Sequence, residues 1–148
     1  MSGARARTGA RGWRPWDELA TAAAVLVSAS ATRIVERGGA TLGACGPEDL
    51  LDAAPWPEHC PADEVLVVGD APAHGPRQVR VQRVRFLARV PLLDAEGTPR
   101  GALELADTAR HALSAEQILA LRAVARAAVS LLTSEVAEDA QAGELLAS

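Results

Sequence analysis

An α+β domain, with an antiparallel central sheet, helices on one face and a long C-terminal helix, is the fold that the sequence predicts. Three observations lead there. A β-like stretch, Val79–Leu93, meets the turn Asp94-Ala95-Glu96-Gly97 and a returning strand, Gly101–Asp107. Ser114-Ala115-Glu116-Gln117 spells a capping box, and Ile118, Leu121, Ala125, Ala128 and Leu132 follow it at helical spacing. Shorter helix and strand signals precede these, separated by a proline-rich loop, and that order suits an antiparallel sheet covered on one side.

Taken from the N-terminus, residues 1–13 are Gly- and Arg-rich without apolar periodicity and are expected to form a disordered basic tail. The folded domain is expected over residues 14–138. Trp16-Asp17-Glu18-Leu19-Ala20 opens a short helix, ending near Ala24, whose acids sit well against the helix dipole. Val25-Leu26-Val27-Ser28 then reads as a strand, with Thr32–Arg37 as its hairpin partner and Gly38-Gly39 as the stop. Gly46–Asp63 holds four of the nine prolines around Asp49-Leu50-Leu51-Asp52, the pattern of a loop carrying one short helix. Val65-Leu66-Val67-Val68, closed by Gly69-Asp70, has the composition of a buried strand.

Alternation along the longest strand puts Val84, Phe86, Ala88, Val90 and Leu92 on one face, and Arg83, Arg85, Leu87, Arg89 and Pro91 on the other. In the returning strand Leu103 and Leu105 share a face, opposite Ala102, Glu104 and Ala106. Leu113 and Ile118 flank the capping box as a hydrophobic staple, Val124 and Leu131 widen the helical stripe, and the helix is expected to run to about Glu138, leaving 139–148 as a flexible tail.

Composition excludes more than it assigns. The 148 residues bound the chain at one domain plus tails. Apolar residues make up 49%, enough for a core, but many are alanine, so that core is lean. The four arginines at positions 5, 7, 11 and 14 face no acid within residues 1–16, so the remainder is more acidic than the net charge of −4 suggests. An acidic body with 3% aromatic residues supplies neither the basic footprint nor the stacking platform of a nucleic-acid binder. Arg-rich residues 1–14, the run Leu19–Ser28 and Ala29-Ser30-Ala31 loosely imitate a secretory leader, but Asp17 and Glu18 stand where such a leader carries positive charge. With no uninterrupted apolar run of membrane-spanning length, a cytoplasmic location without membrane contact is expected.

Val65–Ala71, Val84–Leu92, Gly97–Asp107 and Leu113–Gln117, in that order and spacing, resemble successive signatures of GAF domains, small sensory modules of signalling proteins. The resemblance is good over Val65–Leu132 and suggestive over Asp17–Asp63, where Cys60-Pro61-Ala62 stands at a place where the family often has a cysteine. The family usually opens with a longer helix than Trp16–Ala24 and builds a longer segment than that between Cys60 and Val65, so a small or open pocket is expected. The resemblance implies that one sheet face packs on the helices and the other forms a ligand pocket. The apolar stripe then takes the helix side, and Arg85, Arg89 and Glu104, with Cys60 and Asp70, become the implied ligand-binding residues. Two roles remain open for the arginines: an anion site for a nucleotide or carboxylate, since guanidinium matches such oxygens bidentately, or a cross-strand ion pair of Arg89 with Glu104.

Catalytic constellations are thin. Cys45 and Cys60 are too few for a disulfide scaffold and are expected to be reduced. His59-Cys60 beside Asp63 lacks zinc-ligand spacing, His74 and His111 have no partnered nucleophile, and no phosphate-cradling glycine loop is present. The asparagine-lysine-phenylalanine signature of cyclic-nucleotide-binding members and a convincing bilin-attachment cysteine are also missing. The chain is therefore expected to be a non-catalytic sensory module that binds a small molecule, an anion where the arginines form its site, with no cofactor assigned. It would signal through a partner protein and form a homodimer through the Ser114–Glu138 helix. Two other readings stand beside it: a small thiol oxidoreductase resembling free methionine sulfoxide reductases, using Cys45 and Cys60, and a ligand-free interaction domain.

Overall fold

The computed structural model describes residues 14–58, 60–71 and 84–147. The expected basic tail, His59, His74 and Val79–Arg83 lie outside them. Helix α1 (Pro15–Val27) leads to β1 (Ala31–Glu36) and β2 (Thr41–Cys45), then to the short α2 (Glu48–Ala53). Strands β3 (Leu66–Val68), β4 (Phe86–Leu93) and β5 (Pro99–Asp107) follow, and α3 (Ala115–Ala147) closes the chain. The five strands form one antiparallel sheet in the order β2-β1-β5-β4-β3.

Helices α1 and α3 share one face of this sheet. Phe86, Ala88, Val90 and Leu92 of β4 and Leu103 and Leu105 of β5 meet Trp16, Ala20, Ala23 and Val27 of α1 and Leu121, Ala125 and Ala128 of α3 in one buried cluster. The alternation expected from Phe86 to Leu105 is therefore present. Val84 departs from it: this residue precedes β4 and joins a second cluster, across the sheet, with Leu50 and Leu51 of α2, Ala54, Leu87 and Ala106. The short α2 thus caps one end of the opposite face and leaves the other end open.

The N-terminal region differs most from expectation. Val25–Val27 is the last turn of α1, not a strand, and the hairpin partner of β1 is β2, reached across Gly38-Gly39. The helix continues because Ala24 and Val27 complete the buried face begun by Trp16 and Ala20, which outweighs the β preference of a two-valine run. The stretch Leu19–Ser28 that imitates a leader is thus largely core helix. Ser28 stops the helix in the left-handed region at φ 56°. Asp17 Oδ1 accepts a hydrogen bond from the Ala44 amide at 3.0 Å, which fastens α1 to the edge strand β2.

The capping box of α3 closes in both directions. The Gln117 amide donates to Ser114 Oγ at 3.0 Å and the Ser114 amide to Gln117 Oε1 at 2.9 Å. Gln117 Nε2 also donates to the Leu26 carbonyl at 3.2 Å, tying α3 to the end of α1. The helix expected to end near Glu138 continues to Ala147. Residues 115–143 are long and apolar enough to cross a membrane by length and composition, the mean hydropathy reaching 1.2 over an 18-residue window. Leu121, Ala125 and Ala128 of that stretch, however, are packed on the sheet. Strand β3 is a three-residue edge strand with Val67 exposed, rather than a fully buried one.

Candidate functional site

One row across the sheet places the charges of the open face. Arg33 of β1 stands opposite Glu104 of β5, and Glu104 stands opposite Arg89 of β4. Because side chains alternate along each strand, all three project on the side away from α1 and α3, with Val35 and Ala102 in the next same-face row. The carboxylate of Glu104 is nearly buried and is held mainly by Arg33, whose Nε donates to Oε1 at 2.8 Å. Arg33 Nη1 donates to Asp52 of α2 at 2.8 Å, so this arginine pins α2 onto the sheet. Burial works against the charged form of Arg33, but hydrogen bonds to Asp52 and Glu104 outweigh it, and its pKa lies above the ordinary value.

Arg89 is held differently. Its Nε lies 3.7 Å from Glu104 Oε2, a loose ion pair beyond hydrogen-bond length, and its guanidinium carbon sits 5.1 Å from the centroid of the Trp56 ring. Among the described residues it makes no hydrogen bond. Beside it opens a groove of about 320 Å³, bordered by Val35, Cys60, Ala62, Arg89, Ala102 and Glu104. Glu36, Arg37 and Pro99 also border it.

The structure therefore brings Arg89, Glu104 and Cys60 together and sets Arg85 and Asp70 apart from them. Arg85 precedes β4 and grips Asp70 with two hydrogen bonds, 3.0 and 3.1 Å long, in a partly exposed pair that does not line the groove. Sequence reasoning missed Arg33. The alternation of Arg33 with Ile34 in the Thr32–Arg37 strand carried the signal, but its opposition to Glu104 depends on β1 lying beside β5, which no local pattern shows.

Cys45 and Cys60 do not meet. Cys45 packs against the helix-side core, whereas Cys60 lines the groove on the opposite face. Among the described residues no group of three or more His, Cys, Asp or Glu could hold a metal ion. A second polar cluster surrounds Asp107 at the end of β5. Its Oδ1 accepts from the Ser30 hydroxyl and the Thr108 amide, and its Oδ2 lies 2.6 Å from His111 Nε2. Here the carboxylate stands between serine and histidine, so the histidine cannot relay a proton from that serine; the cluster is a clasp between the β1 entry and the 107–111 turn.

No family model matches the sequence, and no curated protein matches it. Solved structures do match in fold. The GAF domain of a sensor histidine kinase from Pseudomonas syringae pv. tomato superposes with a TM-score of 0.66 at 19% identity, over 84% of this chain and 78% of that one. The type II free methionine-R-sulfoxide reductase of Thermoplasma acidophilum gives 0.55 at 12% identity, over 80% and 89%. The cofactor-binding GAF domain of the nutrient sensor CodY from Clostridium difficile gives 0.53 at 16% identity, over 80% and 84%.

Proposed function

We propose that this chain, which has the fold of a GAF-like domain, is a non-catalytic sensory module whose ligand sits in the groove beside Arg89. The observation that carries the reading is the pairing state of the arginines. Arg33 is engaged by Glu104 and Asp52, Arg85 by Asp70, and Arg89 alone of these three makes no hydrogen bond among the described residues while bordering a groove. A guanidinium held by a ring on one side and open on the other is ready to receive an anion. The sensor histidine kinase and the nutrient sensor that share the fold support a signalling role passed on to a partner protein.

The thiol-oxidoreductase reading lacks what it needs, because the sheet stands between Cys45 and Cys60. The ligand-free interaction domain differs from the sensory reading in one measurable respect. If the groove binds an anion, Arg89→Ala weakens binding by ~1.5–3 kcal/mol, the range for hydrogen bonds to charged groups, and leaves the fold intact. Arg85→Ala, which breaks a partly exposed pair, costs at most ~1 kcal/mol of stability and leaves binding unchanged. Calorimetric titration of both variants checks this; equal loss of binding in the two would remove Arg89 from the site.

Self-association through α3 belongs to the same proposal. Val124 and Leu131, which widen the helical stripe, pack against the core, so the sticky surface is narrower than the sequence suggests. Leu119 and Val136 on α3 remain 64% and 54% exposed, and Val25 at the end of α1 is 74% exposed. A homodimer that covers these side chains is expected in sedimentation at high micromolar concentration, and a strict monomer there would end the idea.

A further inference from the structure

We propose that the groove beside Arg89 selects a small monocarboxylate with an apolar body and rejects phosphates and nucleotides. This rests on the reading of the groove as a ligand site and adds the chemical class. The charges bordering the groove balance: Arg37 and Arg89 face Glu36 and Glu104. Arg33 adds no free positive charge, because Asp52 and Glu104 each hold it at 2.8 Å. Besides the exposed Arg37, whose Nη1 reaches the Pro99 carbonyl at 3.5 Å, the groove therefore offers one half-buried guanidinium fork, at Arg89, with a carboxylate already 3.7 Å from its Nε. A carboxylate can take that fork with two parallel hydrogen bonds. A dianion would bring its second charge against Glu104 or Glu36, where like-charge repulsion in a partly desolvated site works against it.

The remaining walls fix the body of the ligand. Val35, Ala62, Pro99 and Ala102 present no side-chain hydrogen-bonding group, so the part of the ligand beyond its carboxylate gains by being apolar. A volume of about 320 Å³ lies at the low end of small-molecule sites, which run from ~300 to ~1,000 Å³, and suits an acid of modest length better than a nucleotide.

Calorimetric titration of the full chain with hexanoate, hexan-1-ol, inorganic phosphate and adenosine monophosphate tests this. Hexanoate should bind saturably, and the other three at least about tenfold more weakly, as expected when one charge-assisted contact is missing or opposed. Arg89→Gln should weaken hexanoate by about 10- to 150-fold and leave hexan-1-ol unchanged. Ala102→Leu, which fills the groove floor without touching a charge, should abolish hexanoate binding and provides a second variant should the arginine replacement fail to fold. Phosphate or the nucleotide binding as tightly as hexanoate, with loss on Ala102→Leu, would overturn the ligand class while keeping the groove. Silence of hexanoate overturns the proposal, and hexanoate binding that ignores Ala102→Leu overturns both the proposal and the groove as a site.

Discussion

Trp16→Ala is expected to destabilise the domain by ~3–5 kcal/mol, the range for emptying a buried aromatic site. Trp16 is fully buried at the start of α1, inside the cluster that joins α1, α3 and the sheet. Its Nε1 donates to Glu135 Oε2 at 3.0 Å, so the same side chain fastens α1 to the far half of α3. The sequence accommodates it closely: a Cβ on Gly43 of β2 would collide with the Trp16 backbone, which is why a strand position here carries glycine. Domains of this size hold only ~5–15 kcal/mol in total, so the variant should be marginally folded. Trp16→Phe keeps most of the packing and loses the hydrogen bond to the Glu135 carboxylate, which is worth ~1.5–3 kcal/mol. Urea denaturation of the two variants gives both numbers, and a loss below ~1 kcal/mol for the alanine variant would mean that α1 is not part of the core.

Asp107→Asn should cost ~3 kcal/mol at neutral pH and much less in acid. This carboxylate is 6% exposed, and it joins the Ser30 hydroxyl, the Thr108 and Ala109 amides and His111. Burial pushes its pKa up, but hydrogen bonds from Ser30, His111, Ala109 and Thr108 outweigh burial and hold it below the ordinary value. A carboxyl with a lowered folded-state pKa contributes stability that is fully present above the unfolded value, near 4, and is lost as pH falls through the folded value. The asparagine variant has no such group to titrate. Its deficit relative to the wild-type chain, measured by denaturation at intervals from pH 7 to pH 2, should therefore shrink below about pH 4. A deficit constant over that range would show that Asp107 acts by shape and not by charge. The magnitude follows from leaving a buried charge-assisted cluster incomplete.

The parts of the fold that were legible in the sequence are those whose cause is local. The β4–β5 hairpin rests on Gly97, whose φ of +81° suits the turn, and on strict alternation from Phe86 onward. The start of α3 rests on two residues three apart, Ser114 and Gln117, whose amides and side chains satisfy each other. Where the cause is tertiary, the sequence misleads. Val25-Leu26-Val27 has strand composition, yet the core facing Val27 keeps it helical. Thr41–Cys45 has a glycine at its centre and no apolar alternation, yet it pairs with β1 because Gly43 lets α1 lie against it.

The site divides in the same way. Arg89 and Glu104 could be placed together because they belong to one hairpin whose turn sets the register. Arg33 could not, since the β1–β5 pairing joins segments far apart in the chain. Strand alternation puts Arg85 on the face of Arg89 only when it is extended beyond the point where β4 begins. Its side chain is instead engaged by Asp70, in the turn after β3.

The central claim, that the groove beside Arg89 holds a small molecule, is tested most directly by native mass spectrometry of the chain purified from its own host, beside the Ala102→Leu variant prepared identically. The wild-type protein should carry a defined additional mass that survives gentle desolvation, and the variant, with the groove floor filled, should lack it while keeping its fold. A bound mass retained unchanged in the variant would contradict the account and place the ligand elsewhere on the molecule.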